Sequence, residues 1–416
     1  MKLILGNGKT AQSIARFLKG QGIAFQLIKD TRDIDDHNIL QSIDEIFISP
    51  GIPQTQNIVI WARAQNIPVT SDIELFSRYT KAPIIGITGS NGKSTVTQLL
   101  GEMVANDGKK VAVGGNIGKP ALDCLSSDVD FYVLELSSYQ LDYTQTLNLL
   151  TGVVLNITPD HLDRYPDFDH YVKSKLSLYR YCQHPIINLD ESLTSKIDNA
   201  KCFGIDMPKQ ATDFGTVTCH GSCYFLKGDD MLMAVDEMKL IGKHNITNIL
   251  AALSLGDQIG LNTDSMIATI KTFKGLEHRL EWVVRKQNID YYNDSKATNA
   301  ISTIKAIKAL IHKHKTISLI LGGIAKDEDY SELFALINQH ITSVILIGQS
   351  TKIFKTNIKT PQTHATSMQA AVDIASNTDC EAVLLSPACA SFDMFDDFEQ
   401  RGNIFKQCVN NLGGKI

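Results

Sequence analysis

Apolar residues recur along the chain in short runs, each followed by a stretch with apolar positions at helical spacing. Residues 2–5, 24–28 and 45–49 read as strands, with helices over 10–19 and 58–65. From residue 83 the alternation restarts. APIIGIT (82–88), VAVGG (111–115), FYVLEL (131–136) and GVVLNIT (152–158) are buried-strand runs. KHNITNILAALSLGDQIG (243–260) has the pattern of a helix, while 186–240 is irregular and partly β. A third alternation gives strands at TISLILGG (316–323), SVILIG (343–348) and EAVLLSP (381–387). Strand–helix alternation implies parallel sheets. The fold class expected is therefore α/β in three blocks, 1–82, 83–279 and 280–416, with chemistry collected at the carboxyl ends of the strands.

A chain of 416 residues exceeds one ordinary core, which agrees with several domains. With 43% hydrophobic and 20% charged residues it has the balance of a globular protein. A net charge of -5 argues against a dedicated nucleic-acid binder. No apolar run is long enough to span a membrane, and the opening MKLILGNGKT is too short in its apolar part for a secretory segment. A cytoplasmic protein is expected. The eight cysteines are scattered; CHGSC (219–223) lacks a second pair at zinc-ribbon spacing and reads as ordinary thiols.

The strongest chemical signal is GITGSNGKST (86–95), between a strand and a helix. The strict GxxxxGK[ST] pattern fails because Ile87 stands five before Gly92. Gly89, Ser90, Asn91, Gly92, Lys93, Ser94 and Thr95 retain its mechanics. Glycines let backbone N–H groups close on phosphate, Lys93 reaches the outer phosphates, and a hydroxyl can ligate Mg²⁺. Glu135 ends a strand, where a carboxylate suits magnesium, and Ser137 follows. NITPDHLDRY (156–165) clusters Asp160, His161 and Asp163, consistent with general-base work, a metal or a solvated loop. Lys175, on an expected helix, reads by itself as a surface lysine. GNGKTA (6–11) fits the loose G-x-G-x-x-[GA] pattern, with Asp30 ending the next strand. That pattern admits NAD or any nucleotide diphosphate.

TGSNGKST, ELSSYQLD, DHLDRY, GKHNITN, EHRLE, NDSKATN and SPACASFDMFDDFEQRG occur in this order, and with them the chain resembles the Mur ligase family over essentially its full length. The resemblance implies three domains: a Rossmann-like N-terminal domain for a UDP substrate, a central P-loop ATPase-like domain, and a Rossmann-like C-terminal domain for the incoming amino acid. NDSKATN and SPACASFD resemble the member adding D-glutamate. It implies ATP and Mg²⁺ as cofactors, UDP-N-acetylmuramoyl-L-alanine and D-glutamate as substrates, an acyl-phosphate intermediate and an amide product. A monomer with neither nucleic-acid nor membrane partners is expected.

Residue by residue, the resemblance gives Lys93 and its loop to the ATP phosphates. It gives Ser94, Glu135, His161 and Lys175, the last as a carbamate, to metal. Asn245, Asn248, His278, Arg279 and Asp294 fall to the nucleotide. Lys9, Thr10, Thr31, Arg32, Ser49, Gly51, Asn116, Ser137 and His161 fall to the UDP substrate. Lys326, Ser391, Phe398 and Thr298 fall to D-glutamate. The chain departs from the family pattern at Lys9, at Glu277 and in GGIAKDED (322–329). Rival readings are a ligase for another amino acid or folate, a kinase releasing a phosphorylated product, an NAD-dependent dehydrogenase, and a nucleotide-binding module without turnover.

Overall fold

The structure, a computed structural model, describes residues 1–29, 42–159, 164–194, 200–240, 242 and 244–413. The chain divides into two compact units, Met1–Lys239 with Lys243–Phe273, and Leu240–Gly242 with Lys274–Ile416.

The first unit holds two sheets. The N-terminal sheet consists of β1 (Lys2–Leu5), β2 (Phe25–Ile28), β3 (Glu45–Ile48) and β4 (Val69–Thr70), ordered β2-β1-β3-β4 and parallel throughout. Strand alternation splits β1 between two cores. Ile4 packs with Ala11, Ile14 and Leu18 of the helix Lys9–Gly20, while Leu3 and Leu5 pack with Ile58, Val59 and Ala62 of the helix Asn57–Ala64. The order reverses at β1, so the crevice of this sheet opens where Gly6 follows β1 and Ser49 follows β3.

The second sheet contains β5 (Ile84–Thr88), β6 (Val111–Gly115), β7 (Phe131–Glu135), β8 (Leu149–Val154), β9 (Cys182–Asn188), β10 (Lys201–Phe203), β11 (Phe214–Cys219), β12 (Ser222–Lys227) and β13 (Asp230–Ala234). Its order is β13-β12-β11-β10-β9-β8-β5-β7-β6, and only the β11-β12-β13 edge is antiparallel. The stretch expected to be irregular, 186–240, therefore extends this sheet. The expected strand 152–158 begins earlier, at Leu149, and ends at Val154, leaving 155–158 as loop beside the phosphate-loop candidate. The order reverses at β5, so the crevice lies directly above Thr88.

The helix Asp72–Ser77 docks against the loop after β7. Glu74 accepts from the Gln145 and Thr146 amides (2.7 and 2.9 Å) and from Thr146 Oγ1 (2.5 Å). Ser71, its N-cap, contacts Thr144 Oγ1 at 3.2 Å.

The second unit is one sheet: β14 (Glu281–Lys286), β15 (Ile289–Asn293), β16 (Ile317–Gly322), β17 (Ser343–Ile347), β18 (Gln362–His364) and β19 (Ala382–Leu385). The order β14-β15-β19-β16-β17-β18 is parallel except for the β14-β15 hairpin. β19 inserts between β15 and β16, and the loops after these three strands share one end of the sheet.

Candidate active site

Gly89 (φ +151) and Gly92 (φ +83) shape the turn between β5 and the helix Lys93–Asn106. A Cβ on Gly92 would stand 2.3 Å from Asn248 Oδ1, and one on Gly89 would stand 3.0 Å from Leu155 Cβ. Only glycine fits both the conformation and the space. The turn is cross-braced by the loop after β8. Asn156 Oδ1 accepts from the Asn91 amide at 2.8 Å, its Nδ2 donates to Asn91 O at 3.0 Å, and its carbonyl accepts from the Ser90 amide at 2.8 Å. Ser90 Oγ lies 2.8 Å from Tyr171 OH. Lys93 folds back, donating to the carbonyls of Gly89 (2.8 Å) and Ser90 (3.0 Å). The N-terminal amides of a fourteen-residue helix and this ammonium suit an anion, in particular polyphosphate. Thr88 Oγ1, at the base of the turn, is buried without a partner among the described residues.

Glu135 ends β7, one strand from β5, and is 3% exposed. Ser94 Oγ donates to its Oε2 at 2.6 Å and Asn116 Nδ2 to its Oε1 at 2.7 Å. The Glu135 carboxylate, held on one oxygen by a hydroxyl and on the other by a side-chain amide, offers with Ser94 Oγ an oxygen pair suited to a hard divalent cation. Gly115 permits the approach of Asn116, because a Cβ there would stand 2.4 Å from Glu135 O. Ser137 caps the helix Ser138–Leu141 in a capping box with Gln140, whose Nε2 donates to buried Asp72 at 3.3 Å. Burial pushes the Asp72 carboxyl up to about 6, with the Gln140 bond opposing.

Lys175 contradicts its reading as a surface residue. It is 2% exposed, lies on the helix Phe168–Leu176, donates to Gly89 O at 2.9 Å and rests over the Tyr171 ring at 4.8 Å. Asn245 and Asn248, near the start of the helix His244–Gln258, are buried and joined by a 2.8 Å bond, with Asn248 against Gly92. The structure thus brings together the 89–95 loop, Asn116, Glu135, Ser137, Lys175, Asn245 and Asn248. His161 lies outside the described residues.

In the N-terminal crevice, a Cβ on Gly6 (φ +125) would stand 2.1 Å from Ser49 Oγ, so the glycine turn and the β3 loop touch. Ser49 Oγ is buried with no partner among the described residues. Lys9 and Thr10 open the helix Lys9–Gly20, and Gly51 is exposed two residues after Ser49. Thr31 and Arg32, like Asp30, lie outside the described residues. Arg164, which the sequence did not single out within DHLDRY, reaches this crevice and donates to the carbonyls of Pro50, Gly51 and Ile52.

In the second unit, the loops of Lys326 and Ser391 are laced by a two-way Ile324–Ala390 bridge (2.9 and 3.0 Å). Ser295 Oγ donates to Phe398 O at 2.8 Å, and Lys296 Nζ lies 4.1 Å from the Phe398 ring centroid. Lys326 is exposed, Ser391 is 2% exposed, and Thr298 follows two residues after Lys296. His278 (φ +63) turns inward to Asn293 Nδ2 at 2.9 Å, whereas Arg279 is exposed. Burial, then Lys406, holds the His278 imidazole below its ordinary value. Asp294 accepts from Ser386 Oγ (2.8 Å) and the Leu280 amide (3.0 Å).

A second residue the sequence did not mark is Arg401. It is wholly buried, donating to Ser295 Oγ (2.9 Å), Ser295 O (2.7 Å) and Cys389 O (3.1 Å). Its signal was a lone arginine in FEQRG; its partners are mostly carbonyls, which leave no trace in side-chain patterns.

Comparison with known proteins matches residues 87–256 to the Mur ligase middle domain and 278–389 to the Mur ligase glutamate ligase domain. A protein of Nitrosococcus oceani named UDP-N-acetylmuramoylalanine--D-glutamate ligase is 39% identical, over 99% of this chain and 96% of that one. One of the same name from Pseudomonas syringae pv. syringae is 40% identical, over 99% and 98%. Among solved structures, UDP-N-acetylmuramate-alanine ligase from Thermotoga maritima shares the fold with a TM-score of 0.60 at 16% identity, over 99% of both chains. A UDP-N-acetylmuramoyl-L-alanyl-D-glutamate--2,6-diaminopimelate ligase does so with a TM-score of 0.62 at 16% identity, over 89% of this chain and 93% of that one. The chain belongs to the Mur ligase family.

Proposed function

We infer that this chain is an ATP-dependent ligase that joins D-glutamate to the alanine carboxylate of UDP-N-acetylmuramoyl-L-alanine, releasing ADP and phosphate. The observation that carries the reading is the Ser94–Glu135–Asn116 set beside a glycine turn that Lys93 and Lys175 both grip. The names of relatives about 40% identical over nearly the whole chain support the substrate pair.

The proposed division of labour has residues 1–82 holding the UDP substrate, 83–279 the ATP, and 280–416 the amino acid. Lys93 leaves the Gly89 and Ser90 carbonyls for phosphate oxygens, and the amides at the start of its helix cradle the same anion. Glu135 and Ser94, with His161 and a carbamate on Lys175, hold Mg²⁺. When bound, the metal supplies charge neutralisation between phosphate and carboxylate, two anions that otherwise repel. Asn116 orients the acceptor carboxylate. Phosphorylation of that carboxylate turns its oxygen into a leaving group. The amine of D-glutamate then attacks the acyl carbon, and the tetrahedral adduct collapses to amide and phosphate, so the protein needs no covalent nucleophile.

Lys9, Thr10, Thr31, Arg32, Ser49, Gly51 and Ser137 bind the UDP substrate, in place of the dinucleotide that the glycine turn alone would admit. Asn245, Asn248, His278, Arg279 and Asp294 serve the nucleotide. Lys326, Ser391, Phe398 and Thr298 take D-glutamate, the ammonium and hydroxyl meeting carboxylates. No described helix is long and apolar enough to cross a membrane. The proposed enzyme works in the cytoplasm as a monomer.

The test is phosphate release from ATP and Mg²⁺ with UDP-N-acetylmuramoyl-L-alanine, offering D-glutamate, L-glutamate, L-lysine or meso-diaminopimelate. Release with D-glutamate alone, with a UDP-linked dipeptide formed, is expected. Release with another amino acid overturns the specificity, and phosphorylated product without amide turns the reading into a kinase.

A further inference from the structure

The loop Ser49–Pro53 has an unusual hydrogen-bond problem. Its sequence, SPGIP, contains two prolines, which donate no backbone N–H. Its carbonyls still require donors. The Ile52 amide turns back to Ser49 O at 3.0 Å, and the Ser49 amide pairs with Leu5 O at 2.8 Å. The carbonyls of Pro50, Gly51 and Ile52 are served from elsewhere in the sequence. Arg164 Nη1 donates to Gly51 O at 2.6 Å, and Nη2 donates to Pro50 O at 2.8 Å and Ile52 O at 2.7 Å. Tyr143 OH adds a 3.2 Å bond to Ile52 O. The guanidinium carbon stands 4.4 Å from the Tyr139 ring centroid, on the helix that follows β7. One planar cation therefore gathers three consecutive carbonyls while lying over a ring on the helix that follows β7.

The consequence reaches the crevice. Ser49 Oγ lies 2.1 Å from where a Cβ on Gly6 would stand, so the position of this loop sets the width of the space above the Gly6 turn. We propose that Arg164 is a positioning residue for the UDP substrate: by gathering the Pro50–Ile52 carbonyls it fixes Ser49 and Gly51 against the Gly6 turn. Binding of the uridine diphosphate moiety depends on it, and binding of ATP does not. This rests on the assignment of that crevice to the UDP substrate in the proposed function. A lysine does not replace the arginine, because its compact ammonium has neither the two nitrogens that span the three carbonyls nor a planar face to lay on Tyr139.

The experiment uses the full chain and its Arg164→Lys, Arg164→Ala and Tyr139→Leu variants. Uridine diphosphate is titrated calorimetrically, and initial rates are measured with each substrate varied. The expected result for Arg164→Lys is a Kd for uridine diphosphate and a KM for the UDP substrate raised on the order of tenfold. The KM for ATP should stay within about twofold. Tyr139→Leu should move the same constants in the same direction, which keeps the test alive if Arg164→Ala does not fold. Unchanged uridine diphosphate binding in a folded Arg164→Lys protein overturns the proposal. So does a rise of the ATP and UDP-substrate constants in parallel. A wild-type chain that binds no uridine diphosphate overturns the crevice assignment itself, and this inference with it.

Discussion

Lys175 Nζ donates to the Gly89 carbonyl at 2.9 Å, from a helix that begins only at Phe168. An ammonium is a donor with no acceptor capacity. A carbamate on the same nitrogen places anionic oxygens at its tip, which repel a carbonyl and attract a cation. The carbamate keeps one N–H that can still reach Gly89 O, but it exchanges a cation for an anion beside the phosphate loop. Lys175→Gln, of similar reach but unable to form the carbamate, should lower turnover on the order of a hundredfold. With ¹³C-bicarbonate, a carbamate resonance should appear in the wild type and be missing from the variant. A Lys175→Gln enzyme with near-normal turnover would remove Lys175 from the metal set.

Gly92→Ala tests the phosphate turn. The left-handed φ of 83° and the 2.3 Å approach to Asn248 Oδ1 both penalise a Cβ. A cost of about 1–3 kcal/mol in stability is expected from the backbone alone, with ATP affinity falling as the helix N-terminus shifts. Thermal melting and nucleotide titration measure the two. The double change Gly92→Ala with Asn248→Ala should recover the part due to collision and leave the part due to φ, so equal losses in single and double variants would contradict the contact.

These two residues also mark what was readable in the sequence. The glycine turn was legible because strand, glycines, lysine and hydroxyls follow one another in order, and VAVGG and FYVLEL became β6 and β7 nearly as expected. Lys175 was not legible from its own neighbours. Its helix has Tyr171, Val172 and Ser174 buried with it, a pattern equally suited to a lysine at the rim. Its burial comes from Gly89 and Tyr171, a contact set by the sheet order. Arg164 and Arg401 failed for a related reason. Their partners are mostly backbone carbonyls of other loops, and carbonyls look alike in every residue. The strands of 186–240 were hidden because they are short and only half-buried, with polar residues interrupting their apolar positions.

Arg401 makes a prediction of its own. Burial pulls its guanidinium down to about 10, with Cys389 and Asp393 opposing. Among the described residues no carboxylate stands within ion-pair distance of it, and its hydrogen bonds run to Ser295 and Cys389. Those two residues flank Asp294, Lys296 and Ser391. Arg401→Met leaves two buried carbonyls without donors and should cost about 2–4 kcal/mol in urea denaturation. The KM for D-glutamate should rise as the loops lose their tie, and Arg401→Lys should recover part of both. If stability falls while the D-glutamate KM stays fixed, Arg401 supports the core and has no bearing on the amino-acid site.

Asp294 should make the second unit less stable as pH rises. Burial pushes its carboxyl up to about 7, opposed by the Ser386 hydroxyl, the Leu280 amide and Arg279. An unfolded aspartate titrates near 3.9. Between those values the folded chain holds a proton that the unfolded chain has released. Stability from this group is therefore complete below about 4 and is lost as pH climbs through 7. From pH 5 to pH 8 the loss is about 2–3 kcal/mol. Asp72, pushed to about 6 by its own burial, acts with the same sign in the first unit. Denaturation midpoints should fall across that range in the wild type. Asp294→Asn, which has no proton to lose, should flatten the part of the slope that follows the second unit, and Asp72→Asn the part that follows the first. If Asp294 serves the nucleotide as an ionised hydrogen-bond acceptor, nucleotide binding favours the ionised form and should restore stability at pH 8 more than at pH 5. Equal stabilisation by the nucleotide at both values would detach Asp294 from that role.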